Sequence, residues 1–250
     1  MRSVPDRAAL PVLRRGTHRP GGRRQAGEVR TTDDDAAMTL PDWLQPLARA
    51  ATGIQGRDLS RFLPPDDGTG RPSAVLMALA ETVRGPSVLL IERAADMREH
   101  AGQVAFPGGA LDPTDDTLND AALREANEEV GLDPRSVQVV ADLPAIFIPV
   151  SGFVVTPVLA WWEHPHPVAP VDAAEVARVE LVPIRDLVEP ANRFQVTHPS
   201  GWRGPGFEAE GLFVWGFTAG LLDRMLEFGG WARPWDDSIH RPMPDSTRRR

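Results

Sequence analysis

The chain of 250 residues contains no cysteine and no lysine. Without cysteine there are no disulfide bonds and no thiolate catalysis. Without lysine there is no Schiff-base lysine and no P-loop lysine. No apolar run approaches the roughly 20 residues of a membrane-spanning helix, and a net charge of -8 disfavours general binding to nucleic-acid phosphates. We therefore expect a cytoplasmic protein that binds neither nucleic acid nor membrane.

Composition divides the chain into one domain and two tails. Residues 1–40 are rich in arginine, proline and glycine and poor in large apolar side chains, which is typical of a disordered tail. We expect translation to start at Met38, and a basic arm for anionic partners is the alternative. Residues 41–230 form the predicted domain, and residues 231–250 a C-terminal tail.

Apolar patterning predicts an α/β domain in which helices pack on the faces of a mixed sheet, because strands and helices mix without strict alternation. Two apolar runs that flank a Gly-Pro turn predict a hairpin. The predicted strands cover residues 74–81, 87–93, 102–106, 137–141, 145–150, 153–162 and 175–183. The predicted helices cover residues 42–51, 119–130, 184–188 and 213–228, and residues 57–71 are predicted to be a loop.

The predicted helix over residues 119–130 carries an acidic stripe. At 100° per residue, Glu125, Glu128 and Glu129 share one side, Arg124 flanks them, and the apolar residues share another side. Like charges at this spacing repel each other, whereas a bound divalent cation would be ligated by them. Taken alone, such a stripe is more typical of a solvated helix face.

The loop before this helix favours a metal site. Gly108 and Gly109 allow the backbone to approach a ligand closely, and a carbonyl of this loop can add a neutral oxygen ligand. Asp115 can pair with Arg124 and fix the loop onto the helix. Glycines alone would suit a plain tight turn equally well, but the glycines and the acidic helix together point to a metal site.

Residues 109–132 resemble the Nudix box, G-x5-E-x7-R-E-U-x-E-E-x-G-U, in which U is a bulky aliphatic residue. The Arg-Glu-x-x-Glu-Glu-x-Gly core, residues 124–131, is intact. There are three departures: Asp115 replaces the first glutamate, the spacer is one residue longer, and Ala126 occupies an aliphatic position.

The longer spacer resembles the Nudix branch that hydrolyses coenzyme A. The upstream signature of that branch, L-L-T-x-R-[SA]-x3-R-x3-G-x3-F-P-G-G, is matched with Arg93, Arg98 and Gly102 in register and Ile91 in place of threonine. The resemblance implies the Nudix fold, an α/β/α sandwich around a mixed sheet. It also implies Mg²⁺- or Mn²⁺-dependent hydrolysis of the diphosphate of coenzyme A and its derivatives to 3',5'-ADP and (acyl-)4'-phosphopantetheine.

The resemblance also assigns roles by position. It implies that Glu125, Glu128 and Glu129 are metal ligands, that a Gly108 carbonyl assists them, and that Arg124 orients the glutamates. Substrate recognition is assigned to the upstream signature, since guanidinium groups suit phosphate oxygens. Its three residues are Arg93, Arg98 and Gly102.

Further expectations concern the base and the remaining ring side chains. Glu128 is a candidate general base, and Glu175, in a later loop, is the other candidate. His100 and His198 are predicted to be ordinary exposed residues. The seven tryptophans can stack on adenine, but most are expected in the core.

Two other functions and one assembly state stay open. A Nudix hydrolase of another nucleoside diphosphate, such as a sugar conjugate or a dinucleotide, would keep the same box. A non-catalytic Nudix domain that binds a nucleotide and regulates a partner would usually lack one of the acidic residues, and none is missing here. A homodimer is also compatible with the sequence.

Overall fold

Two β-sheets, with helices packed on both faces of the larger one, make up the described part of the chain. The structure is a computed structural model that describes residues 40–97, 100–198 and 201–244. Arg98 and residues 1–39, which make up most of the predicted N-terminal tail, lie outside the described residues.

The helices are α1 (Gln45–Ala51), α2 (Gly56–Leu59), α3 (Leu118–Val130), α4 (Ile184–Leu187) and α5 (Gly216–Phe228). The strands are β1 (Arg71–Thr82), β2 (Gly85–Arg93), β3 (Val104–Ala105), β4 (Gly108–Ala110), β5 (Val137–Asp142), β6 (Ile146–Ile148), β7 (Phe153–Trp162), β8 (Val176–Pro183), β9 (Arg193–Thr197), β10 (Arg203–Ala209), β11 (Leu212–Val214) and β12 (His240–Pro242).

The larger sheet is mixed, as the sequence predicts. β1 and β2 form the predicted antiparallel hairpin, and β1 also pairs in parallel with β7. Where β1 and β2 no longer pair with each other, β3 pairs with β2 and β4 pairs with β1 at Ser73–Val75. The glycine loop is therefore built into the sheet as β4, and its backbone position is fixed by strand hydrogen bonds.

Alternate residues of β1 serve two apolar cores. Met77 and Leu79 pack with α1 and α5, whereas Leu76 and Ala78 pack with α3 on the opposite face. The buried side of α3 is mostly alanine, including Ala126, which has 0% exposure. Small side chains let the helix lie close to the sheet, so alanine at the aliphatic position suits the alanine-rich face of β1. The predicted α/β/α sandwich is confirmed.

The structure corrects the predictions for the C-terminal part of the chain. The helix expected over residues 213–228 begins at Gly216, because the preceding residues pair with β10 as β11. Within the predicted C-terminal tail, β12 pairs in parallel with β9, and Met243 is buried. The expected loop over residues 57–71 contains the short helix α2 in its first residues. None of the helices in the described ranges is long and apolar enough to cross a membrane.

Candidate active site

Helix α3 is fixed at both ends and displays its three glutamates unequally. The Thr117 side chain accepts a hydrogen bond from the Asp120 backbone N–H, and Gly131 ends the helix with a φ of 73°. The side chain of Glu128 is 59% exposed, that of Glu125 is 21% exposed and that of Glu129 is 6% exposed. The three carboxylates of the acidic stripe thus differ in exposure, and that of Glu129, the most buried, lies against the sheet.

Close contacts surround both glycines of β4. A side chain on Gly108 would collide with the backbone of β1, and one on Gly109 would collide with the carboxylate of Glu125. Gly108 also donates its backbone N–H to Glu129 Oε2 at 3.0 Å. The glycine loop therefore lies against the acidic stripe, and the contact from Gly108 to Glu129 is made by its N–H.

Arg124 ties the loop to the acidic stripe. Its Nε and Nη2 donate to the two carboxylate oxygens of Asp115 at 2.9 and 3.0 Å, so the predicted pair forms in spite of the shorter side chain and the longer spacer. Its Nη1 lies 3.1 Å from Glu125 Oε1 and 3.0 Å from Glu128 Oε2. The guanidinium hydrogen bond from Arg124 lowers the pKa of Asp115. Arg124 therefore orients two glutamates while it is itself held by Asp115.

Replacing Asp115 with asparagine is expected to reduce activity roughly 10- to 100-fold, the usual cost of losing a partner that orients a metal-ligating group. Asparagine offers Arg124 one acceptor in place of two and carries no charge. The activity should be measured as a function of the Mg²⁺ and Mn²⁺ concentration, and the apparent metal affinity should fall as well. Asp116→Asn, at the exposed neighbouring position, is the matched control. Equal activity and equal metal affinity in the two variants would contradict the orienting role of Asp115.

Burial changes the protonation of the inner carboxylates. Desolvation raises the pKa of Glu129 to about 7, although the hydrogen bond from Gly108 and the charge of Arg93 act in the opposite direction. Desolvation also raises the pKa of Glu125, and Arg124 counteracts it. A buried carboxylate that is costly to ionise gains from a nearby cation, because the cation compensates the charge that burial leaves unsolvated.

Arg93 lies at the end of β2 and faces the buried glutamate. Its Nη1 is 3.5 Å from Glu129 Oε1, and its buried Nε has no hydrogen-bond partner among the described residues. Gly102, with a φ of 64°, donates its N–H to the carbonyl of Arg93 and closes the loop after β2. The structure thus brings Arg93 to the acidic stripe and gives Gly102 a backbone role beside it, whereas Arg98 lies outside the described residues.

The later loop also reaches this site. The charge of Glu175 contributes to the raised pKa of Glu129, and the Glu175 carbonyl accepts the N–H of Ala94, just after β2. The Glu175 side chain is exposed. Both base candidates, Glu128 and Glu175, therefore lie near the acidic stripe with access to solvent.

Comparison with known proteins agrees with this geometry. The NUDIX domain family model matches residues 70–199. The chain belongs to the Nudix family. It is 38% identical over 207 residues to a protein of Citrobacter koseri named Uncharacterized Nudix hydrolase NudL, covering 78% of this chain and 98% of that protein. A protein of the same name from Escherichia fergusonii is 40% identical over 204 residues, covering 78% of this chain and 97% of that protein. Among solved structures, the M. smegmatis Nudix hydrolase RenU is 20% identical with a TM-score of 0.44, covering 70% of this chain and 98% of that chain.

As a Nudix hydrolase, the protein acts on diphosphate bonds. Nudix hydrolases generally use divalent metal ions, and the donor set on α3 suits Mg²⁺ or Mn²⁺ because carboxylate oxygens are hard ligands. Within the described residues, no three acidic, histidine or cysteine side chains are already gathered as a metal cluster. Arg124 and the Gly108 N–H hold the carboxylates instead. The raised pKa values of Glu125 and Glu129 mark the place where a cation would be stabilised.

A second concave feature was missed by sequence reasoning. A cleft of about 720 Å³ lies beside α5 and β10, and we call it the aromatic cleft. Its lining includes Phe147, Trp202, Trp215 and Phe217, together with Arg61 and Arg203. His198, predicted to be an ordinary exposed residue, is half-buried here and stacks on Trp215 with ring centroids 6.4 Å apart. The available signal was the pair of tryptophans at positions 202 and 215 with Arg203 beside the first of them, but residues 199–206 are rich in glycine and proline, which is typical of a loop.

Proposed function

We propose that this Nudix hydrolase cleaves the diphosphate of coenzyme A and its derivatives to 3',5'-ADP and (acyl-)4'-phosphopantetheine. The observation that carries the proposal is the position of Arg93. It belongs to the upstream signature of the coenzyme A branch, and its guanidinium lies beside Glu129 with a buried donor that has no partner among the described residues. A guanidinium group pairs with phosphate oxygens, and the side chain of Arg93 is 24% exposed beside Glu129.

The chain's own residues account for the remaining requirements of the reaction. We propose that Glu125, Glu128 and Glu129 hold Mg²⁺ or Mn²⁺, assisted by the Gly108 carbonyl that the resemblance implies. The bound cation supplies charge neutralisation for the diphosphate and activation of water. Arg124 keeps Glu125 and Glu128 in place through its contacts at 3.1 and 3.0 Å. Water attacks one phosphorus, the bridging P–O bond breaks, and the proton of the water passes to a carboxylate base.

We propose that Glu175 is that base. It is exposed and electrostatically coupled to Glu129, and its loop is fixed to the end of β2 by the hydrogen bond from Ala94. Glu175→Gln is expected to lower kcat roughly 10²–10⁴-fold, the usual contribution of a positioned base, with little change in KM. Glu189→Gln, another exposed glutamate, is the control. If Glu175→Gln keeps full activity while Glu128→Gln loses it, Glu128 is the base.

The substrate is tested by a panel of diphosphates. Purified protein is incubated with coenzyme A, NADH or ADP-ribose and with Mg²⁺ or Mn²⁺, and kcat/KM is determined for each compound. We expect coenzyme A to be turned over at least ten times more efficiently than the others, since a lost phosphate contact is worth roughly that factor. A preference for NADH or ADP-ribose would contradict coenzyme A as the substrate and would favour another nucleoside diphosphate. Binding without turnover of any compound would favour the regulatory alternative.

A further inference from the structure

The aromatic cleft lies on the side of the larger sheet where α5 packs, opposite the side where α3 packs. Its lining is mainly apolar and aromatic, with a few charged groups, as is usual for small-molecule sites, and its volume of about 720 Å³ lies in their range. The ring of Trp202 packs closely against Gly204, where a Cβ atom would lie 2.3 Å from it. The absence of a side chain at this position of β10 therefore leaves room for the tryptophan ring.

The floor of the cleft carries a glycine without a packing reason. Gly220 lies inside α5 and lines the cleft, and a Cβ atom at this position would meet no atom within 4 Å. Glycine is among the least favourable residues in a helix interior, so its presence costs stability without relieving any contact. The glycine leaves open space above the helix, and a ligand can occupy this space.

The charge of the cleft selects the kind of ligand. Four charged side chains line it: Arg61, Arg203, Asp223 and Arg224. Asp223 is paired with Arg193 and Arg224. Neither Arg61 nor Arg203 has a carboxylate partner among the described residues, and Arg61 lies over the ring of Phe62. Aromatic rings stack on nucleobases, and guanidinium groups pair with phosphate. An aliphatic chain would use the rings but not the two arginines.

We propose that the aromatic cleft binds the nucleotide 3',5'-ADP, with the base against the tryptophan rings and the 3'-phosphate facing Arg203 and Arg61. The choice of this nucleotide rests on the proposed function, of which 3',5'-ADP is a product.

Binding to the metal-free protein tests the proposal separately from catalysis. Affinities for 3',5'-ADP, 5'-AMP and 4'-phosphopantetheine are measured by calorimetry in the presence of a chelator. We expect 3',5'-ADP to bind roughly tenfold tighter than 5'-AMP, the usual effect of a charge-assisted contact to one phosphate. Arg203→Gln should abolish this preference. Arg233→Gln, an exposed arginine outside the cleft, should keep it.

Gly220→Leu separates a binding role from a structural one. The larger side chain occupies the open space and favours the helix, so the melting temperature should stay the same or rise while the affinity for both nucleotides falls at least roughly tenfold. Three results would overturn the inference: no binding of 3',5'-ADP, equal binding in all variants, or binding of 4'-phosphopantetheine that Gly220→Leu alone removes. If 3',5'-ADP binds as expected but coenzyme A is not hydrolysed, the proposed function fails and the nucleotide site stands.

Discussion

Glu129→Gln is expected to lower kcat roughly 10²–10³-fold or more, because it removes one charged group from the electrostatic machinery that stabilises the reaction. Glutamine keeps an oxygen that can accept the hydrogen bond of the Gly108 N–H, so the geometry of β4 and α3 should persist. The charge alone is lost, and with it the strongest reason for a cation to bind beside the sheet. Initial rates at saturating Mg²⁺ or Mn²⁺ measure the effect.

The same variant should make the metal-free protein more stable. The pKa of Glu129 is raised to about 7 in the folded protein by burial, from an ordinary value of 4.5. Between these values the folded state binds more protons than the unfolded state, so the free energy of unfolding falls as pH rises through this window. At pH 8 the ionised side chain therefore costs stability on the order of 2–3 kcal/mol. Glutamine removes this cost, and urea unfolding in a chelator at pH 5 and pH 8 measures it.

The control for both effects is Glu81→Gln, since Glu81 is exposed on β1. It should change neither kcat nor the pH dependence of stability. A Glu129→Gln protein that is inactive and also less stable than wild type at pH 8 would contradict the account, because Glu129 would then be a structural ion-pair partner. Added Mg²⁺ or Mn²⁺ should stabilise the wild type and leave Glu129→Gln nearly unchanged.

Arg93→Gln is expected to lower kcat/KM for coenzyme A roughly 10²–10³-fold, the usual range when one member of a buried charged contact is removed. Its side chain is 24% exposed, and its Nη1 lies 3.5 Å from Glu129 Oε1. The variant loses the donor for the diphosphate and leaves Glu129 without its nearby positive charge. Steady-state kinetics with coenzyme A and with dephospho-coenzyme A, which lacks the 3'-phosphate, resolve the contribution of this residue.

Because Arg93 lies beside Glu129, its replacement should lower kcat/KM equally for coenzyme A and for dephospho-coenzyme A. A loss confined to coenzyme A would instead assign Arg93 to the 3'-phosphate. Arg135→Gln provides the control, since the side chain of Arg135 is 90% exposed and paired with Asp133. Undiminished kcat/KM in Arg93→Gln would remove the observation on which the coenzyme A proposal rests.

Local spacing was sufficient to predict the acidic stripe and its supporting loop. A helix of 3.6 residues per turn brings Glu125 and Glu129 to one side whatever surrounds it. Charge complementarity between nearby residues also made Asp115 a candidate partner of Arg124, and the structure forms this pair. These features depend on residues that are close in the chain.

The unequal burial of the stripe could not be predicted in the same way. Glu129 is covered because Arg93 on β2 and Gly108 on β4 lie against it, and these contacts arise only when the sheet assembles. The second sheet was missed because β10 contains Gly204 and Pro205, which are typical of turns. The aromatic cleft could not be predicted either, because β10 of this second sheet forms one of its walls.

The identity of the products of coenzyme A hydrolysis tests the central claim most directly. Wild type and Glu129→Gln are incubated with coenzyme A and Mg²⁺ or Mn²⁺, with and without a chelator, and the products are identified by mass spectrometry. The account predicts equimolar 3',5'-ADP and 4'-phosphopantetheine from wild type with metal, and almost none from the variant or with the chelator. Intact coenzyme A beside active turnover of another diphosphate would contradict the proposed substrate. Equal product release by wild type and Glu129→Gln would contradict the proposed site.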